Sequence, residues 1–213
     1  MSWSVPAAPR RALPLLAAAL LAGCVENVGP ASSKPSDFIV VSDFTVPEGA
    51  VHLDPSFGFS LYRGEAGVPK EKRAASIGRA VAFLVTDTVV GRLRANGYDA
   101  VSTVNPNPVG SGYRALIVSG TLRTIDEGQR RRVGHEHSAV IAEVEIKAEL
   151  PGGATQRVQS FAIDSRVAPP ARPESGATRR ETGVDADATK IGAEIARVVT
   201  EIARRNNWLP AGR

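Results

Sequence analysis

The chain has 213 residues, with 26 basic and 22 acidic side chains, three histidines and one cysteine. That length suits one domain with a short appendage. The near-balanced charge excludes a molecule basic enough to bind nucleic acid by bulk electrostatics, and a single cysteine excludes an internal disulfide.

The first residues form an address rather than a fold. Arg10 and Arg11 precede an apolar run, Leu13 to Leu21, which ends in Leu21-Ala22-Gly23-Cys24. A basic start, a short apolar stretch and small residues before a cleavage point make a secretory signal. The run is shorter than the roughly 20 apolar residues a membrane span needs, and Pro14 interrupts it, which argues against an uncut anchor. Leu21-Ala22-Gly23-Cys24 reads as a lipobox, with residues 1–23 removed and Cys24 taking a diacylglycerol thioether. Together with an acyl chain on the new amino terminus, this gives firm membrane attachment, at roughly 0.8 kcal/mol per buried CH₂. The next residue is Val25 rather than aspartate, the inner-membrane retention signal, so the expected location is the outer membrane, facing the periplasm. No later segment is expected to span. Residues 1–23 carry two of the basic residues and no acidic one, so the mature charge falls to about +2.

Residues 24–36 are rich in Gly, Pro, Ser and Asn and predict a flexible tether. A single domain then spans 37–209. Asp37 to Phe44 is nearly continuous in apolar residues and predicts a central strand buried on both faces. Val46 to Lys72, punctuated by Gly and Pro, predicts a long loop. It holds Phe57, Phe59 and Tyr62, a large part of the chain's aromatic content. These aromatics admit two readings, a partner-binding surface or a cap on the sheet.

Ile77, Val81, Leu84, Val85, Val89 and Leu93 follow helical spacing, predicting a helix from about Ala74 to Ala95 with Ser76 as N-cap and Gly97 as left-handed terminator. A short strand follows from Tyr98 to Val104. Ala115 to Asp126 predicts a strand with Leu116, Val118, Gly120 and Leu122 on one face. Ser138 to Leu150 alternates apolar and charged residues, as a strand with one wet face does. Pro151-Gly152-Gly153 turns it into a further strand, Thr155 to Val167, and Ala168 to Gly183 reads as a polar loop. A final helix from about Asp185 to Asn207 carries an Ile/Val stripe, and Trp208 and Leu209 are placed to dock on the core. The order predicts an α+β two-layer sandwich, a mostly antiparallel sheet of about five strands with two helices packed on one face.

The lipobox, Ile39-Val40-Val41-Ser42-Asp43-Phe44, the Gly97-Tyr98 helix exit and the stretch from Gly120 to Arg132 resemble the bacterial lipoproteins of the domain of unknown function 4410 family. The resemblance covers about Asp37 to Leu209, and its most specific part is G-x-x-x-x-I-D-x-G-x-R-x-R. The family commonly continues with a G-x-G step, and Val133-Gly134-His135-Glu136-His137-Ser138 departs from it. The family has no assigned catalytic residues, so the resemblance implies none here.

Other clusters carry weaker signals. His135 and His137 would share a strand face as imidazole ligands, but the remaining histidine, His52, is distant in sequence, so a solvated hairpin end is the simpler reading. Arg130, Arg131 and Arg132 form the densest charge cluster, a candidate contact for an anionic partner or else a solvated hairpin tip with Asp126, Glu127 and Glu136 nearby. Asp43, Asp126 and Asp164 are carboxylates without a fixed spacing, and neither a nucleophile elbow nor a triad is visible. No cofactor or metal is expected. The expected function is a lipid-anchored, non-enzymatic binding or assembly factor with an envelope protein as partner. An envelope hydrolase acting on cell-wall or lipid substrates and a self-assembling structural lipoprotein are the alternatives. The sequence leaves the oligomeric state open.

Overall fold

The computed structural model describes residues 38–54, 68–104, 114–128, 137–150, 153–169, 183–206 and 208. The lipobox, the tether and the loop with Phe57, Phe59 and Tyr62 lie outside them, as do Arg130 to Arg132 and His135.

Six strands and two helices follow in the order β1 (Phe38–Ser42), β2 (Val51–His52), α1 (Lys70–Ala95), β3 (Ala100–Thr103), β4 (Ala115–Asp126), β5 (Ala139–Glu149), β6 (Thr155–Asp164) and α2 (Val184–Arg205). The sheet runs β3-β1-β4-β5-β6, with β2 also on β4. The expected α+β architecture holds: both helices contribute to one apolar core with the same face of the sheet.

The sheet is mixed rather than mostly antiparallel. β1 runs parallel to β3 and β4, and β2 parallel to β4, whereas β4–β5 and β5–β6 are antiparallel. The reason is the crossover: β1 and β3 are joined through α1, and a helix between neighbouring strands returns the chain in the same direction. β1 is central as expected, and its buried run Ile39 to Ser42 has the composition of a strand flanked by parallel neighbours.

The stretch after β1 is less irregular than its Gly and Pro content implies. β1, the bridge Thr45–Thr121 and β2 follow one edge of β4 in succession. Thr45 N–H donates to the Gly120 carbonyl at 3.0 Å, and Ile125 N–H to the Ala50 carbonyl at 2.8 Å. The pairing offset slips by one residue between Val41–Val118 and Thr45–Thr121, which turns Phe44 onto the core side. Gly120 makes room for it: a Cβ there would lie 2.3 Å from the Phe44 ring.

α1 begins four residues before the expected start. Pro69, with φ −55° and ψ 144°, occupies the N-cap, and its carbonyl accepts the first helical bond from Arg73 N–H at 3.1 Å. Ser76 therefore lies inside the helix. Gly97 ends it with φ 87°, in the left-handed region as predicted. α1 contains an 18-residue stretch long and apolar enough to cross a bilayer by length and composition, with a mean hydropathy of 1.3, contrary to the expectation for later segments. Its Val81, Val85, Val89 and Leu93 are buried against sheet and α2, as in the core helix of a folded domain.

α2 crosses α1 closely where Gly192 faces Thr88; a Cβ would come within 2.6 Å of it. Asp187, in the first turn of α2, is 5% exposed, accepting from Ser138 Oγ at 2.5 Å and from Lys190 Nζ at 3.1 Å. Trp208 is buried, and its backbone N–H donates to the Ala203 carbonyl at 2.8 Å, so the chain end docks on the core as expected.

Two substitutions test this packing. Leu93→Ala should lower the unfolding free energy by about 2–5 kcal/mol in denaturant titration. Gly120→Ala should cost about 1–3 kcal/mol through overpacking, and Phe44→Leu in the same chain should recover part of it, giving a non-zero coupling in a double-mutant cycle.

Candidate functional site

With both helices on one face of the sheet, no described helix covers the other. Along β4 and β5, Leu116, Val118, Leu122, Val140, Ala142, Val144 and Ile146 join the helix-side core. The intervening Ser119, Thr121, Glu143, Glu145 and Lys147 therefore lie on the helix-free side. A small second apolar cluster, Val40, Ala115 and Ile117 with Phe38, occupies one end of that side.

Beside it is a concavity of about 670 Å³, in the range of about 300–1,000 Å³ common for small-molecule sites. Its polar lining comes from all the long strands: Ser42 and Asp43 at the end of β1, Thr45, Ser119 and Thr121, Glu143 and Glu145, and Arg157 and Ser160. Val104, 85% exposed, stands at its rim. Register pairs Phe161 with Val144, a core residue, so the ring belongs to the helix side.

Arg123, Glu143, Glu145, Lys147 and Arg157 are held in ion pairs, two of which, Arg123–Glu143 and Arg157–Glu145, cross between strands. Arg123 Nη2 lies 2.6 Å from Glu143 Oε2. Glu145 is gripped twice, by Lys147 Nζ at 2.7 Å and by Arg157 Nε at 2.7 Å. Partial burial alone would raise the Glu145 pKa, but the hydrogen bonds and charges of Lys147 and Arg157 outweigh it and hold the carboxyl below its ordinary range. The hydroxyls of Thr45 and Thr121 lie 3.0 Å apart, and Ser119 Oγ donates to the Glu145 carbonyl at 3.5 Å. Asp43 has no ion pair among the described residues.

The carboxylates considered together from the sequence are not brought to one place. Asp43 lines the concavity. Asp126 accepts from Gly128 N–H at 2.8 Å, and Asp164 is held by the Arg166 guanidinium, which keeps its carboxyl below the usual range. Glu127, just ahead of the arginine run, is ion-paired with Arg73 of α1 and accepts from Asp54 N–H at 3.0 Å, tying that strand end to the helix start. His52 and His137 are exposed, and among the described residues no group of three or more His, Cys, Asp or Glu could hold a metal ion. The candidate sites at Cys24, Phe57, Phe59, Tyr62 and Arg130 to Arg132 lie outside the described residues.

The sequence reading missed this concavity. The alternation of Ser119, Thr121 and Arg123 with core residues was a signal for part of it, as was the charged face of β5. No local pattern showed that Ser42 and Asp43, more than 70 positions away, would join them.

No family model and no curated protein matches the chain. Among solved structures, it is similar to a PelC dodecamer from Paraburkholderia phytofirmans, at 13% identity and TM-score 0.38, covering 84% of this chain and 98% of that one. A structure described as an uncharacterized protein gives 14% identity and TM-score 0.33, with 82% and 95% covered. A candidate neuraminyllactose-binding hemagglutinin homolog from Helicobacter pylori gives 12% and 0.34, with 86% and 94% covered. Likenesses this weak carry no argument about function, and the resemblance to the lipoprotein family rests on its motifs alone.

The ion pairs predict a pH dependence. A carboxyl whose pKa is lowered on folding contributes stability above its unfolded value, near 4.5 for Glu145, and loses it as the pH falls through the folded value. Glu145→Gln should therefore flatten the decline in melting temperature on acidification below that value, leaving other acid-sensitive pairs to give the rest.

Proposed function

We propose that the chain is a lipid-anchored protein of the bacterial envelope, held to the outer membrane through Cys24 and facing the periplasm. It works by binding, as an accessory or assembly factor, and its partner is an envelope protein or a molecule presented by one. The recognition surface is the helix-free face of the sheet. The observation that carries this reading is the concavity itself. Its polar side chains come from four strands, and its two glutamates are fixed by cross-strand ion pairs with Arg123 and Arg157, an arrangement preorganised for contact. Among the described residues the lining holds serines and carboxylates but no histidine, lysine or cysteine, which favours binding over nucleophilic catalysis. The lipobox supports the anchoring half of the proposal independently.

Two measurements test the two halves. The Cys24→Ala chain, expressed in a two-membrane bacterium, should lose radiolabelled palmitate and leave the outer-membrane fraction. Retention of both would refute the anchor. A photo-crosslinking residue at Ser160, within the concavity, should capture a specific envelope protein, whereas one at Asp87, on the exposed side of α1, should not. Equal capture from both positions, or from neither, would overturn the assignment of the surface.

A further inference from the structure

We infer that the concavity on the helix-free face is a binding site for a short neutral oligosaccharide, a deepening of the binding role that rests on this face being the recognition surface. Ser42 is the residue that points to a ligand. Its side chain is 3% exposed and lines the concavity, yet its Oγ has no hydrogen-bond partner among the described residues. A buried hydroxyl left in this state is destabilising, and buried polar groups in folded proteins are otherwise nearly always satisfied. The Oγ itself is closed off from solvent, so a ligand hydroxyl becomes its partner once the Ser42 side chain turns toward the concavity.

The rest of the lining narrows the class of ligand. Thr45, Ser119, Thr121 and Ser160 add four more hydroxyls, each able both to donate and to accept. That bivalence suits a ligand whose own groups do both, which is the chemistry of a polyol. Around them stand planar groups with paired oxygens or nitrogens, the carboxylates of Glu143 and Glu145 and the Arg157 guanidinium, suited to vicinal hydroxyls. These charges are already matched: Glu143 by Arg123, and Glu145 by Lys147 and Arg157. An anionic ligand would have to break those pairs and would meet the unpaired Asp43, whereas a neutral one can use the free lone pairs and N–H groups that remain. The volume of about 670 Å³ is larger than a single sugar ring requires, so the site fits a short oligomer. The Phe161 ring lies on the core side, so the described residues offer no aromatic platform, and the expected affinity is weak, with a dissociation constant of about 1 mM.

The test uses the full chain, isotope-labelled and purified in a zwitterionic, sugar-free detergent, titrated in turn with maltotriose, cellotriose and triacetylchitotriose to about 10 mM. At least one of them should shift amide resonances of Ser42 to Thr45, Ser119 to Thr121, Glu143 to Glu145 and Arg157 to Ala162 in a saturable way. Ser42→Ala should weaken that binding at least threefold while leaving the spectrum folded. Thr121→Val serves as a second variant with the same expectation if the first fails to fold. Absence of saturable shifts with all three sugars overturns the inference. Shifts confined to other elements, shifts reproduced by glycerol at equal hydroxyl concentration, or full affinity in both variants also overturn it. A negative result here with specific crosslinking from Ser160 would leave the protein-binding role standing. Loss of both would remove the helix-free face as a recognition surface.

Discussion

Both helices pack on the same face of one sheet, and the rest of the molecule depends on that asymmetry. α1 and α2 bury their apolar stripes together against Leu116, Val118, Val140, Val144 and Ile146, so the sheet has a dry side and a wet side. Burying each such aliphatic side chain contributes about 1.5–3 kcal/mol, and the core draws on nearly all the long strands. Where that contribution is concentrated on one face, the opposite face is free to carry hydroxyls and charges. The candidate site is thus a consequence of where the core is placed.

β4 is the organising strand. One edge receives β1, Thr45 and β2 in parallel succession, and the other pairs with β5 over its whole length. A one-residue slip after β1 turns Phe44 into the core over the bare backbone of Gly120, while Ser42, by the regular alternation of β1, lies on the wet side with Val40. The ion pairs of the wet face then fix its side chains. Exposed pairs of this kind contribute little to stability individually, but they restrict rotamers where a ligand would be recognised.

The readability of these features differed with the range of the interactions behind them. The helices, their stripes and the Gly97 stop were legible because 3.6-residue spacing and a left-handed terminator are local facts. The start of α1 was not, because Pro69 competes with Ser76 for the same role, and the Arg73–Glu127 pair binds the early turn to a strand end 54 positions away. The central place of β1 followed from its apolar run. The parallel pairing required knowing which strands α1 connects in space. The wet face of β5 was visible in Glu143, Glu145 and Lys147, but its complement on β1 and β4 was not.

By itself the sequence determined the class of fold, through the alternation of β5 and the stripes of the two helices, and the proposed address likewise rests on a local motif, Leu21-Ala22-Gly23-Cys24. Those properties depend on residues within a few turns of one another, so chain order is enough to read them. Only the tertiary structure decided that the sheet is mixed and that Ser42, Thr121, Glu145 and Arg157 surround one concavity. It also decided that one hydroxyl is buried there without a partner. Strand order and register bring those residues together, and both are set by which faces pack best across the whole chain rather than by any local pattern.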